Sequence, residues 1–328
     1  MPANLPPQYY EAERRFREAK TPEEKIELLE EMMAIMPKHK GTDHLRADLR
    51  RKIAKLSEIS GKKTGGTRAS MTISKEGAGQ VAVIGLPNSG KSQLVAKVTK
   101  ATPTVADYPF TTTSPTPGMM EFENIQIQLI DTPPLVVSTS VFWFPPLLRR
   151  ADILLIIVDL STDPLEQMET IISGLAGMRI SLDKNKIQSE DGRELTYKKA
   201  VIIGNKLDLD KDGKNLKDLQ EMYGDRFPVA GISAKDGSGI EEMKLVVYQV
   251  LDIIRVYTKR PGGIADMTEP VVLPSGSTLE NAALSIHKDL LARLKFARVW
   301  GSGKHDGVMV GRDHILQEGD IIELHVPK

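Results

Sequence analysis

The chain has 328 residues, 40% hydrophobic and 27% charged, enough for two or three folded domains with real cores. Lys plus Arg and Asp plus Glu both total 44, so any nucleic-acid contact has to come from a local patch rather than a global field. With no cysteine, disulfides, thiolate zinc sites and a cysteine nucleophile are excluded, which fits a reducing, cytoplasmic setting. The N-terminus lacks the apolar core of a signal peptide, and no apolar run approaches the length of a membrane span.

In chain order, residues 1–10 are Pro-rich and expected to be poorly ordered. Thr21-Pro22-Glu23-Glu24 reads as a capping box with Pro at the first helical position. Ile26, Leu29, Met33 and Met36 then share a face until Pro37, and Leu45, Leu49, Ile53, Leu56 and Ile59 form a second stripe. Residues 1–60 are therefore expected to hold a helical hairpin. Its outer face carries Arg46, Arg50, Arg51, Lys52 and Lys55, read either as a solvated face or as an RNA contact. The Gly/Ser/Thr/Lys-rich stretch 61–79 reads as a linker.

From residue 80 to 252 strands alternate with helices. Val81–Ile84, Ile125–Ile130, Ile153–Val158, Val201–Gly204 and Val229–Ser233 are apolar runs, and Ile240–Leu251 is helical in pattern. This predicts an α/β fold with a doubly wound, mostly parallel sheet, whose ligands bind at the carboxyl ends of strands. Gly85-Leu86-Pro87-Asn88-Ser89-Gly90-Lys91-Ser92 lies between a strand and a helix with the spacing G-x-x-x-x-G-K-[ST]. The glycines let backbone N–H groups turn toward an anion, and the helix start adds the positive end of its dipole. Lys91 can bridge terminal phosphates and the Ser92 hydroxyl can ligate Mg²⁺. Asp131 ends the next predicted strand and can reach the same metal. Asn205-Lys206-Leu207-Asp208 follows another; a carboxylate accepts two N–H groups from guanine that adenine does not offer. Ser233-Ala234-Lys235 can close over the base. Trp143 reads either as core or as a docking surface, and 181–198 as a surface hairpin or loop.

Residues 253–328 carry strand signals at Ile253–Tyr257, Val271–Leu273, Arg298–Trp300 and Ile321–His325, with a helix over Thr278–Leu290. That order is β-β-α-β-β. Its histidines, 287, 305, 314 and 325, lack metal-ligand spacing.

These motifs resemble those of translation-factor-type GTPases. Ala106-Asp107-Tyr108-Pro109-Phe110-Thr111-Thr112 is similar to the first switch of Obg-like GTPases. The segment from Lys38 to Leu45 resembles the helical start of the developmentally regulated GTP-binding (DRG) proteins. Arg255–Lys259, Ile286–Asp289, Ala297–Gly301 and Gly319–Leu324 resemble a TGS domain, a ubiquitin-like β-grasp module. The resemblance spans nearly the whole chain and implies a P-loop GTPase domain between the helical hairpin and the TGS domain.

It assigns Gly85, Asn88, Ser89, Gly90, Lys91, Ser92 and Gln93 to the phosphates of GTP or GDP, and Ser92, Thr112 and Asp131 to Mg²⁺ and the chemistry alongside Lys91. Asn205, Lys206 and Asp208 read guanine, supported by Ser233, Ala234 and Lys235. Asn88 matches the asparagine that places K⁺ in potassium-stimulated relatives; the other reading is a turn residue. The implied activity is slow, cytoplasmic GTP hydrolysis, with the ribosome, RNA or a translation-associated factor as partner. The alternative is a GTP-binding scaffold that scarcely hydrolyses and acts through its RNA-binding modules.

Two residues depart from the family pattern D-x-x-G. Asp131-Thr132-Pro133-Pro134 ends in a proline with no N–H for a γ-phosphate, and Leu135 stands where Ras-type GTPases carry a water-orienting glutamine. The 74 positions from Asp131 to Asn205 leave no room for the extra domain of eukaryotic DRG proteins.

Overall fold

The computed structural model describes residues 7–18, 25, 28–29, 31–33, 36, 45, 48–53, 73–99, 115–135, 143–186, 188, 192, 194–303 and 305–326. The chain divides into two units, Met1–Ser70 and Met71–Lys328. In the first, a helix spans Pro7–Glu18, so residues 7–10, expected to be poorly ordered, begin a helix that the two predicted stripes did not include. Tyr9, Leu29, Met32, Met36 and Leu49 form its core, with Phe16, Met33 and Ile53 against it. Leu45 of the second stripe is exposed, as are Arg50, Arg51 and Lys52. The capping box, Ile26, Leu56 and Ile59 lie outside the described residues.

In the second unit a six-stranded sheet runs in the order β2-β3-β1-β4-β7-β8. Its strands are β1 Gln80–Gly85, β2 Thr116–Phe122, β3 Ile125–Asp131, β4 Ile153–Asp159, β7 Lys199–Asn205 and β8 Val229–Gly231. All neighbours are parallel except β2 with β3. Helices Lys91–Val98, Pro164–Gly177 and Ile240–Leu251 follow β1, β4 and β8. Burial on both faces explains the unbroken apolar runs. Ala82 and Ile84 of β1 enter one core, with Leu154, Ile156 and Val158 of β4. Val81 and Val83 enter the other, with Ile153, Leu155 and Ile157. Each buried Val, Leu or Ile among them contributes about 2 kcal/mol.

The stretch expected as a linker reaches the sheet at its end. Ala78 N–H donates to Gln126 O at 2.7 Å, and Gln128 Nε2 donates to Ser74 O at 3.1 Å. Within 181–198, the short strands β5 Ile180–Ser181 and β6 Thr196–Tyr197 pair in parallel.

The second sheet has the order β10-β9-β13-β11-β12. Here β9 is Ile253–Lys259, β10 Ala265–Pro274, β11 Phe296–Trp300, β12 Val308–Val310 and β13 Ile321–His325. The first and last predicted strands, β9 and β13, lie side by side and parallel, as a β-grasp requires. The one predicted helix is two, Leu279–Ile286 and Lys288–Arg293, separated by His287 in extended backbone. Thr278 caps the first in a reciprocal capping box with Asn281.

Candidate functional site: a glycine loop joined to Asn205

The carboxyl ends of β1, β3, β4 and β7 face the same edge of the large sheet. Val83 pairs with Asp131, Gly85 with Ile157 and Asp159 with Asn205. The phosphate loop leaves this edge at Gly85. Its two glycines are required for different reasons. A Cβ on Gly85 would stand 2.4 Å from the Ile157 carbonyl of the neighbouring strand. Gly90 takes φ 88° as the N-cap of helix Lys91–Val98, and a Cβ there would stand 2.2 Å from the Asn205 amide nitrogen. Asn88 also takes a left-handed φ of 62°.

Lys91 is 5% exposed and donates to the Leu86 carbonyl at 2.7 Å and to Ser89 Oγ at 3.4 Å. Burial lowers its pKa to about 8, against the pull of the Asp131 carboxylate. Ser92 Oγ donates to Asp131 Oδ2 at 2.6 Å. Asp131 Oδ1 is shut off from solvent without a well-formed hydrogen bond. Burial pushes the Asp131 carboxyl up, and the Ser92 hydroxyl, the Lys91 charge and the Thr132 amide pull the other way. Thr132 anchors the strand end by donating to Val83 O at 2.7 Å.

Asn205, 1% exposed, joins the motifs. Its amide nitrogen donates to Ser89 O at 2.8 Å, and its amide oxygen accepts from Ala234 N–H at 3.0 Å. Buried Ser233 donates through Oγ to Asp208 Oδ1 at 2.8 Å, and Leu207 N–H donates to Ile232 O at 2.9 Å. Asp208 and Lys235 are exposed, so one carboxylate edge is fixed by Ser233 at the surface of the cleft. Three motifs distant in sequence are thus one hydrogen-bonded unit.

Sequence reasoning missed Asp159. Lys206, at φ 65°, sends its ammonium to Asp159 Oδ2 at 2.5 Å, and Ser161 adds two hydrogen bonds to Oδ1. Burial alone would raise the Asp159 carboxyl, but the Lys206 and Ser161 hydrogen bonds outweigh it and hold the group low. Its one signal was a carboxylate at the end of a predicted strand.

The family description "50S ribosome-binding GTPase" matches residues 80–190, and "TGS domain" matches 254–326. An uncharacterized GTP-binding protein of Methanocaldococcus jannaschii is 27% identical over 368 residues, covering 93% of each chain. Developmentally-regulated G-protein 3 of Arabidopsis thaliana is 28% identical, and Ribosome-interacting GTPase 1 of Saccharomyces cerevisiae 27%, each covering 92% of this chain and 98% of its own. The chain thus carries a GTPase-family domain followed by a TGS domain and is similar over nearly its whole length to Obg/DRG-type GTP-binding proteins. The solved YchF GTPase of Schizosaccharomyces pombe shares the fold, with a TM-score of 0.53 at 13% identity over 77% of this chain and 99% of that one. The 368-residue alignment exceeds this chain's whole length, so the archaeal relative carries residues without a counterpart here.

The two residues that depart from the D-x-x-G pattern take definite positions. Leu135 is 2% exposed, lies in the sheet's core against Gly174, and donates its N–H to Gly85 O at 3.0 Å. Its side chain is therefore packed into the core and turned away from the sheet's surface. Pro134 is exposed. Trp143 is buried and meets Phe144 edge-on, ring centres 5.9 Å apart, so core packing describes it better than a docking surface. Ser92 and Gln93 are exposed at the helix start. Thr112 and the rest of the predicted first switch lie outside the described residues. No helix among the described residues is long and apolar enough to cross a membrane.

Proposed function

We propose that this protein binds GTP with Mg²⁺ and hydrolyses it slowly to GDP and phosphate, acting as a cytoplasmic switch read by the ribosome or a ribosome-associated factor. The observation that carries this reading is the Asn205 side chain, bonded at once to the phosphate loop and to the 233–235 loop. It sets the phosphate loop beside the 233–235 loop, whose Ser233 holds Asp208 at the proposed base end.

The residues present fit a hard divalent cation. The unpartnered Asp131 Oδ1 sits one carboxylate away from Ser92 Oγ. Among the described residues no cluster of three acidic or histidine side chains exists, and Mg²⁺ typically takes one or two protein oxygens with substrate phosphates filling the rest. Ser92 and Asp131 would hold it, with Thr112 by the family pattern. When bound, it supplies positive charge at the β- and γ-phosphates. Loop amides from Asn88 to Ser92 orient the phosphates, and Lys91 exchanges its contact with Leu86 O for phosphate oxygens. Ser233 holds the Asp208 carboxylate toward the guanine N–H groups.

Among the described residues no side chain stands out as a general base. With Leu135 in the core, water is positioned rather than activated, which is why the hydrolysis is slow. In this reading Asn88 would hold K⁺, which would supply further charge stabilisation. The ribosome as partner is supported by the family description and the name of the yeast relative. Leu135 and Pro134 also favour a second reading, a GTP-binding scaffold with little hydrolysis. Single-turnover hydrolysis in KCl and in NaCl, with and without ribosomes, tests both. The proposal expects turnover that rises with K⁺ and ribosomes; no phosphate release under any condition leaves the scaffold.

A further inference from the structure

β2 and β3 pair over seven residues with no shift of register, from Thr116 opposite Asp131 to Phe122 opposite Ile125. At about 3.3 Å per residue this ribbon is about 20 Å long. One end presents Asp131 to Ser92. The other is the turn Glu123-Asn124, with Glu123 in the left-handed region at φ 48°, unusual for a residue with a Cβ.

The β-grasp domain grips this turn. Arg255 of β9 donates through Nη1 to the Glu123 carboxylate and to Asn124 Oδ1, the latter at 3.0 Å. Its Nε donates to Glu318 Oε1 at 2.6 Å, while Glu318 Oε2 accepts the Arg255 backbone N–H at 2.6 Å. Asn124 donates to Tyr257 Oη at 2.9 Å and to Met267 O at 3.2 Å. Phe122 stacks on Tyr248 of helix Ile240–Leu251 at 4.9 Å, and the Arg255 guanidinium lies 5.2 Å from the same ring. One guanidinium, its side chain 14% exposed, therefore ties together the β2–β3 turn, the last helix of the first sheet's domain and the β-grasp loop at Glu318. Its carboxylate partners raise its pKa against the effect of burial, so it stays charged and depends on all of them.

A stiff ribbon fixed at both ends carries a displacement of either end to the other. We infer that the β2–β3 ribbon couples the nucleotide pocket to the β-grasp domain, with Arg255 as the positioning residue at the joint. The state of the pocket then sets how firmly β9 and β10 are held, and by linkage the β-grasp domain biases nucleotide affinity in return. This rests on the proposed nucleotide binding at Ser92 and Asp131.

The test is amide hydrogen exchange on the full chain with Mg²⁺ and either GDP or a non-hydrolysable GTP analogue, alongside direct binding of both nucleotides. Wild type is expected to show a difference of about fivefold in exchange over residues 253–274 between the two nucleotides. Arg255→Gln removes the ion pairs and should abolish that difference while nucleotide still binds. Tyr257→Phe removes only the Asn124 bond and should shrink it, which keeps the test decisive if Arg255→Gln fails to fold. An undiminished difference in the variants, or no difference in a wild type that binds both nucleotides, overturns the coupling. A wild type that binds neither nucleotide overturns the pocket reading, and the coupling with it.

Discussion

At the base end of the pocket, Asn205 spends both ends of its amide on backbone partners, Ser233 fixes Asp208, and Asp159 pairs Lys206. At the second-switch end, Asp131 keeps one buried oxygen without a good partner, Pro134 has no N–H, and Leu135 is packed into the core. Among the described residues, the groups proposed to bind are thus held in place by the fold, while those that could serve hydrolysis are sparse. Under the proposed function, affinity and base choice would be built into this fold, and turnover would depend on what the pocket gains from ions and partners.

The predictions probe that contrast, from the largest expected effect to the smallest. Asp208→Asn should lower GTP affinity about 1,000-fold and favour xanthosine nucleotides, because the guanine N–H edge is left mispaired; competition binding with the two nucleotides checks this. Lys91→Met should cost about 100-fold in GTP affinity through loss of a desolvated charge contact, read by the same titration. Asn205→Ala strands the Ser89 carbonyl and the Ala234 N–H, so denaturant unfolding should show a loss of about 2 kcal/mol.

Next comes pH. The folded pKa of Lys91 is lowered to about 8, below its unfolded value of 10.5. Between those values the unfolded chain binds more protons, so this group's contribution to stability rises with pH there. The protonated amine is the form that meets phosphate, so GTP affinity should instead fall about tenfold from pH 7 to pH 9. Calorimetry at the two pH values measures the affinity, and chemical denaturation measures the opposite trend in stability. Smallest is Leu135→Gln: hydrolysis should change by less than about threefold, because the side chain points into the core, while stability drops by about 2 kcal/mol. A large gain in turnover would mean that this end of the pocket can be repaired by one side chain.

The same division marks what could be read in advance. G-x-x-x-x-G-K-S and N-K-x-D fix identities at set spacings, and the unbroken apolar strands place both motifs at one sheet edge. Asp159 carries no motif; only the fold brings it opposite Asn205 and under Lys206. β2 escaped notice because Thr116-Pro117-Gly118-Met119-Met120 lacks alternation, and Pro117 is tolerated only because β2 is an edge strand. β12 is three residues long, too short for a periodic signal. The grip of Arg255 on Glu123 joins positions 132 apart in sequence, a contact set by tertiary packing alone.

The most direct measurement is calorimetric titration of the purified full chain with GDP, GTP and ATP in Mg²⁺. The account predicts saturable binding of both guanine nucleotides and affinity for ATP at least about 100-fold weaker. Equal affinity for ATP, or no binding of any of the three, would contradict it.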